Sequence, residues 1–294
     1  MDAQDTLIAY FNGNYLPRHE ACMPLTDRGL LFGDSVYEVI PAYGGRPFRV
    51  AHHLARLDRS LASIRMHNPL SEAQWNDVFN RLAAQLPGQD QSIYLQVSRG
   101  DYPVRNHAIP AEVSPNVFAF TAPLPERDPK IAQQGISAIT LEDIRWHRCD
   151  IKATTLLANV LARAQANEEG TDEAILVRDG QVMEGTASNL FIVSNGLLIT
   201  PPDSPDLLPG ITRDLVLELA REAGIPYAQA AIGMPELETA EEVWLTSSTR
   251  EIAAVVQLNG RAVGNGAPGE HWQRMDALYQ ACKQRLRLGE DCHD

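Results

Sequence analysis

The chain has 294 residues, 44% of them hydrophobic and 21% charged, and a formal net charge of −13. That length holds one large domain or two smaller ones around sizeable cores. The acidic balance excludes the basic stripe that a nucleic-acid surface needs, and no apolar run approaches membrane-spanning length.

The four cysteines, Cys22, Cys149, Cys282 and Cys292, have no metal-type spacing and predict no disulfide framework. The acidic opening Met1-Asp2-Ala3-Gln4-Asp5 lacks the apolar stretch of a secretory signal. The expectation is a reduced, cytoplasmic, soluble protein with no metal site.

In chain order, Leu7–Phe11 and Ser35–Ile40 read as strands, with Gly44-Gly45 as a hairpin turn. Leu54, Leu57, Leu61 and Ile64 recur at helical spacing between His53 and Met66. Ser71, followed three residues later by Gln74, predicts the start of a second helix. Ile93–Val97 and Val117–Phe120 are two more strands. Three prolines between Pro123 and Pro129 mark a short semi-rigid linker.

Beyond the linker, Ala153–Glu168 reads as a helix rich in Ala and Leu. Ala174–Val177 and Val182-Met183 form a hairpin through Asp179-Gly180, and Leu190–Val193 and Leu197–Ile199 form another through Asn195-Gly196. Thr212–Ala223 is a helix, Val243–Leu245 a strand and His271–Leu288 a terminal helix. No internal repeat is present. The division expected is a small N-terminal α/β domain over 1–122, a linker over 123–130 and a larger domain over 131–294.

Two segments carry chemistry. Lys152 closes the run Asp143-Ile144-Arg145-Trp146-His147-Arg148-Cys149-Asp150-Ile151-Lys152. A lysine at the end of an apolar-flanked segment can be held partly desolvated, which suits Schiff-base chemistry with a carbonyl. Glu184, in Glu184-Gly185-Thr186-Ala187-Ser188-Asn189, offers a carboxylate from a separate strand. Such a carboxylate can keep the ring nitrogen of pyridoxal phosphate protonated.

A phosphate needs convergent donors at a helix start. Gly210-Ile211-Thr212 fits that need, and Thr246-Ser247-Ser248-Thr249 offers a hydroxyl-rich turn. Arg56 can add a charge-assisted bond. Read singly, these are also a common helix start, a common loop and a solvated helix residue. His19, His52, His53 and the terminal Cys292 and His293 read as surface residues, and Trp146 and His147 as packing residues.

The Lys152 and Glu184 segments resemble the catalytic-lysine and pyridine-glutamate segments of the class IV, fold type IV, pyridoxal-phosphate aminotransferases, and among these most resemble the D-amino acid (D-alanine) transaminases. The resemblance runs from about Ile8 to about Ile252. It implies a two-domain mixed α/β fold (α+β), its larger C-terminal domain β-rich and carrying the lysine, with pyridoxal 5'-phosphate at the domain interface. It implies that Lys152 is catalytic. Arg56, Ile211, Thr212, Ser247 and Ser248 would form the phosphate cup, and Leu208 would pack on the ring.

Arg105-Asn106-His107, after Ser98-Arg99-Gly100, resembles the carboxylate trap of the D-specific enzymes, and Tyr37 matches the tyrosine that completes it. Asn106 departs from the small residue often found there. The implied substrates are D-amino acids and 2-oxo acids, and the implied assembly is a homodimer whose subunits border each other's sites. The nearest alternatives are an L-branched-chain aminotransferase or an aminodeoxychorismate lyase of the same class, which generally lack the trap. A non-catalytic dimeric binding protein on the same scaffold is the alternative from another class. Retention of Lys152, Glu184 and the cup together argues against it.

Overall fold

The computed structural model describes residues 7–290 and residue 292. The opening segment Met1–Asp5 and His293 lie outside the described residues. Contacts divide the chain into two units. The first comprises Met1–Pro125, Ile151–Thr155 and Lys283–Asp294, and the second Glu126–Asp150 and Leu156–Cys282.

The first unit holds β1 (Ile8–Phe11), β2 (Asn14–Pro17), α1 (Arg28–Phe32), β3 (Ser35–Tyr43), β4 (Arg46–Pro47), α2 (Val50–Ser63), α3 (Glu72–Ala83), β5 (Gln91–Ser98) and β6 (Asn116–Pro123). Its sheet runs β2-β1-β6-β5-β3-β4, with every neighbouring pair antiparallel. Ile93, Leu95 and Val97 alternate into the core, where Leu57 and Leu61 of α2 and Trp75, Phe79 and Leu82 of α3 cover the sheet. Burying one such leucine stabilises the unit by about 1.5–3 kcal/mol. Ser71 caps α3 and completes a capping box with Gln74, as its spacing predicts.

Lys152 belongs to this unit and not to the C-terminal part expected of it. The reason is local. Its neighbours Ile151 and Ala153 bury their side chains in the first unit's core, and Ala153 bridges Val36 of β3. The same pairing delays the next helix, which begins at Leu157 and not at Ala153.

The second unit contains α4 (Pro129–Gln134), β7 (Ile136–Glu142), α5 (Leu157–Glu168), β8 (Glu173–Arg178), β9 (Gln181–Gly185), β10 (Asn189–Ser194), β11 (Leu197–Thr200), α6 (Ile211–Glu222), β12 (Tyr227–Gln229), α7 (Met234–Glu238), β13 (Glu242–Ser247), β14 (Glu251–Leu258) and β15 (Arg261–Ala262). The last helix, α8 (Glu270–Leu288), starts there and ends among residues of the first unit. The sheet runs β12-β11-β10-β13-β14-β7-β8-β9, with β15 beside β14. Ile175, Leu190, Ile192, Val243, Leu245 and Val255 fill its core. Asp179-Gly180 and Asn195-Gly196 make the two predicted turns, all four residues having positive φ as tight hairpins require.

Of the four cysteines, Cys22 and Cys149 are free, while Cys282 and Cys292 are disulfide-bonded. This corrects the expectation of no disulfide. Both bonded cysteines are buried, so Cys292 is not the surface residue expected. They bracket the end of α8, where spacing alone carries no metal or framework signal.

Candidate active site

In the first unit, β3 positions the lysine. The Lys152 carbonyl accepts from the Tyr37 amide at 3.0 Å, and the Thr154 amide donates to the Ser35 carbonyl at 3.1 Å. The Lys152 amide donates to Ser60 Oγ at 3.2 Å. The half-buried side chain places Nζ 4.2 Å from the centre of the Tyr37 ring, a cation–π distance. Tyr37 stacks in turn on Tyr94, with centroids 5.6 Å apart.

Arg56 faces the core side of the same strand. Its Nε donates to Glu38 Oε1 at 2.8 Å and its Nη2 to Glu38 Oε2 at 2.7 Å. His53 Nδ1 donates to Glu38 Oε2 at 2.7 Å. His53 is therefore buried, not a surface residue: it lies one turn before Arg56 on the apolar face of α2. Burial would raise the Glu38 carboxyl, but the Arg56 and His53 contacts outweigh it and hold it well below the usual carboxylate range. Burial keeps His53 below its ordinary value.

Arg105 and His107 lie elsewhere in this unit, exposed on the loop after β5. Arg105 Cζ sits 5.2 Å from the centre of the Phe32 ring, and the His107 ring 5.0 Å from it. The loop is held by its backbone. Arg28 Nη1 donates to the Asn106 carbonyl at 2.7 Å and Nη2 to the His107 carbonyl at 3.4 Å. Arg28 Nε and Arg99 Nε both donate to Asp34 Oδ2, at 2.9 and 2.7 Å.

In the second unit, Glu184 is the penultimate residue of β9 and is buried. Arg145 Nη1 donates to its Oε1 at 2.5 Å. Asn189 Nδ2 and the Leu208 amide donate to its Oε2, each at 3.1 Å. Burial raises the Glu184 carboxyl, against the pull of Arg145 and the Leu208 amide. Leu208 is thus tied to the glutamate through its backbone.

Gly210 caps α6 without a side-chain bond, leaving the first-turn amides of Ile211 and Thr212 directed out of the helix. Both side chains are buried, while Ser247, the last residue of β13, and Ser248 are half-buried. Two buried hydroxyls, Ser188 Oγ and Thr246 Oγ1, make no hydrogen bond with any described residue. Thr246 pairs with Asn189, the residue after Ser188, across β10 and β13. Unsatisfied buried hydroxyls next to uncapped helix amides form a donor set that fits a phosphate, and Glu184 fits a protonated ring nitrogen.

Glu38, Arg145, Asn189 and Ser188 are further site residues that no sequence motif singles out. Their signals were present but weak: a carboxylate inside an apolar strand, and an arginine amid the lysine's own segment. Trp146 and His147, expected to pack, are instead exposed, with His147 Nδ1 beside Asp206 Oδ1 at 2.9 Å.

The sequence model of the family Amino-transferase class IV matches residues 35–258, a stretch containing Lys152, Glu184 and Arg56. The chain belongs to that family. As a class IV aminotransferase it is 42% identical over 270 residues to a D-alanine aminotransferase of Bacillus licheniformis, covering 92% of this chain and 95% of the relative. A D-alanine aminotransferase of Listeria monocytogenes serotype 1/2a is 36% identical over 278 residues, covering 92% and 96%.

Among solved structures, the branched-chain amino acid aminotransferase of Escherichia coli superposes on this class IV aminotransferase with a TM-score of 0.84 at 27% identity, covering 97% and 95%. A Mycobacterium tuberculosis aminotransferase in its PLP-bound form gives 0.81 at 25% identity, covering 93% and 98%. A fold IV transaminase from Curtobacterium pusillum gives 0.80 at 25%, covering 91% and 92%. The fold is that of the fold type IV aminotransferases.

Proposed function

We propose that this class IV aminotransferase is a D-amino acid transaminase, moving the amino group of D-alanine or D-glutamate to a 2-oxo acid with pyridoxal 5'-phosphate as cofactor. The observation that carries the reading is the Arg105–Asn106–His107 loop, an exposed guanidinium and imidazole on a backbone clamped by Arg28. A guanidinium matches a carboxylate through two parallel bonds, and the clamped loop makes the match pre-organised. The D-alanine relatives at 36–42% identity support the same reading. The branched-chain structures stand at lower identity and support the fold.

Bound to this chain, pyridoxal phosphate would supply an aldehyde that condenses with amines and a protonated ring that draws electrons from the substrate's Cα. The residues do the rest. Lys152 Nζ would hold the aldehyde at rest and, once displaced, take the proton from Cα and deliver it to the adjoining cofactor carbon. Glu184 would keep the ring nitrogen protonated. Arg56, the amides of Ile211 and Thr212, Ser247 and Ser248 would bind the phosphate, and Leu208 would pack on the ring. Tyr37, Arg105 and His107 would orient the substrate carboxylate.

The reading includes a homodimer whose subunits border each other's sites. Two sets of exposed apolar side chains support it: Leu25, Leu30, Val104 and Ile109 in the first unit, and Leu157, Val160 and Leu161 on α5 in the second. No helix among the described residues is long and apolar enough to cross a membrane, and the reading places the enzyme in the cytoplasm. The test is a panel of D- and L-amino donors with 2-oxoglutarate as acceptor, beside sedimentation for the dimer. Turnover of D-alanine or D-glutamate with little on L-leucine or L-valine is expected. The reverse preference would overturn the reading in favour of the L-specific branch.

A further inference from the structure

Glu184 stands at the inner end of a chain of alternating charges within the second unit. Arg145 joins it to Asp143, through Nε to Oδ1 and Nη2 to Oδ2, both at 2.9 Å. Asp143 Oδ2 also accepts from Arg178 Nη2 at 2.9 Å, and Arg178 Nη1 donates to Asp206 Oδ1. The exposed His147 touches the outer end, its Nδ1 3.0 Å from Arg178 Nη1. The buried thiol of Cys149, pushed up to about 11 by burial, lies beside Arg145 and is neutral at physiological pH.

Three carboxylates (Glu184, Asp143, Asp206) face two guanidiniums (Arg145, Arg178), leaving one negative charge in excess. A mainly structural brace would end at Asp143, which Arg178 already satisfies, and would not reach Glu184. The bond from Arg145 to Glu184 extends it, so that a carboxylate stands at each end, Asp206 at the outer one and Glu184 at the inner one, where a protonated ring nitrogen would meet it. Oε2 is meanwhile held by Asn189 and the Leu208 amide, so both carboxylate oxygens are fixed in plane.

We propose that Arg145 is a positioning residue of the transamination: it clamps Glu184 Oε1, and so fixes the orientation and negative charge of the carboxylate that serves the ring nitrogen. The inference rests on the reading of Glu184 as that partner. Burial alone drives a carboxyl toward its neutral form, and a neutral Glu184 no longer favours a proton on the ring. Asp143, which lies in neither strand nor helix, acts on the glutamate through Arg145, whose Nε and Nη2 it occupies.

The test is a double-mutant cycle on the cofactor-loaded enzyme, with Arg145→Met and Glu184→Gln made singly and together. Arg145→Met is expected to lower kcat by about a hundredfold, the scale of one lost electrostatic contact. Cofactor affinity should stay near wild type, and the bound cofactor's absorbance should titrate at a different pH. In the Glu184→Gln background the same substitution should add nothing. Equal losses in both backgrounds, or unchanged turnover and spectrum in Arg145→Met alone, would overturn the inference while leaving the transaminase reading intact. If Glu184→Gln itself turns over like wild type, the assignment of Glu184 fails and the inference with it. Should Arg145→Met not fold, the cycle is run with Arg145→Lys, which keeps the charge but loses the fork. A loss that disappears in the Glu184→Gln background supports the role, and a loss of equal size in both overturns it.

Discussion

Arg56 grips both carboxylate oxygens of Glu38, at 2.8 and 2.7 Å, and the pair is buried with His53 in the first unit's core. A bidentate pair fixes the plane of the guanidinium, and with it the direction in which the remaining nitrogen can donate. The proposed phosphate ligand is therefore also a structural cation.

That double role gives a pH signature. In the wild type, Glu38 titrates below its unfolded value, so its contribution is present above the ordinary carboxylate range and is lost only as pH falls toward the depressed value. Stability from this group should be flat from about pH 5.5 to 7.5. Arg56→Met leaves a buried carboxyl with His53 as its partner, and burial then raises Glu38. A raised acid is stabilising below its unfolded value and loses that contribution as pH rises. Arg56→Met should thus cost about 3–5 kcal/mol near neutrality and recover part of it on acidification. Thermal melts of the cofactor-free proteins across this range check the sign, and parallel, flat profiles for both would contradict it. Equilibrium dialysis should also show weaker cofactor binding by the variant.

Lys152 sits with its amine over the Tyr37 ring, held by the pairing of its backbone with β3. Borohydride treatment of the purified enzyme should attach the cofactor to the peptide bearing Lys152, and Lys152→Ala should lose about 10²–10⁴ in turnover from the missing proton transfer alone. Peptide mapping decides. Label on any other lysine rules out this assignment.

Arg105 is exposed, with its guanidinium over the Phe32 ring, so its removal should leave the fold untouched. Arg105→Ala should lower kcat/KM for D-substrates by about 10- to 100-fold, the scale of a lost charged hydrogen bond. Cofactor affinity should not change. The D-to-L preference of the variant is the informative number: a ratio equal to that of wild type would mean that the carboxylate is anchored elsewhere.

Gly210 approaches Asn189 so closely that a Cβ there would overlap the asparagine side-chain oxygen. Asn189 Nδ2 bonds both Glu184 and the Leu208 carbonyl. Gly210→Ala should therefore cost about 1–3 kcal/mol by overpacking, and should weaken cofactor binding by disturbing both partners. The glycine has ordinary helix-capping φ (−83°), so backbone strain plays no part. Melting curves and cofactor titration of this one variant test the close approach, and wild-type values in both would exclude it.

Local chemistry made much of the fold readable. The capping box at Ser71, the hairpin turns at Asp179-Gly180 and Asn195-Gly196 and the leucine face of α2 each depend on residues a few positions apart. β7 carries no such local signal, because both its partners, β14 and β8, are distant in sequence and parallel to it, a pairing that leaves no local period. The helix expected from Ala153 starts late for a similar reason: its first residues are taken by β3. At the site, the residue types that bear chemistry stood out, Lys152, Glu184 and Arg105 among them. Their supports did not. Glu38 looks like any strand residue until Arg56 is seen on its far side, and Arg145 looks solvated until Glu184, thirty-nine positions on, is found against it.

Arg28 holds the loop after β5 by the carbonyls of Asn106 and His107, and Asn106 closes its own turn by accepting from the Ala108 amide at 3.0 Å. The main chain at 106 and 107 is thus fixed independently of the side chain at 107. Substitution there can change what the loop greets without changing where the loop runs. A variant at 107 is therefore a change of surface chemistry alone, made on a main chain that stays where it was.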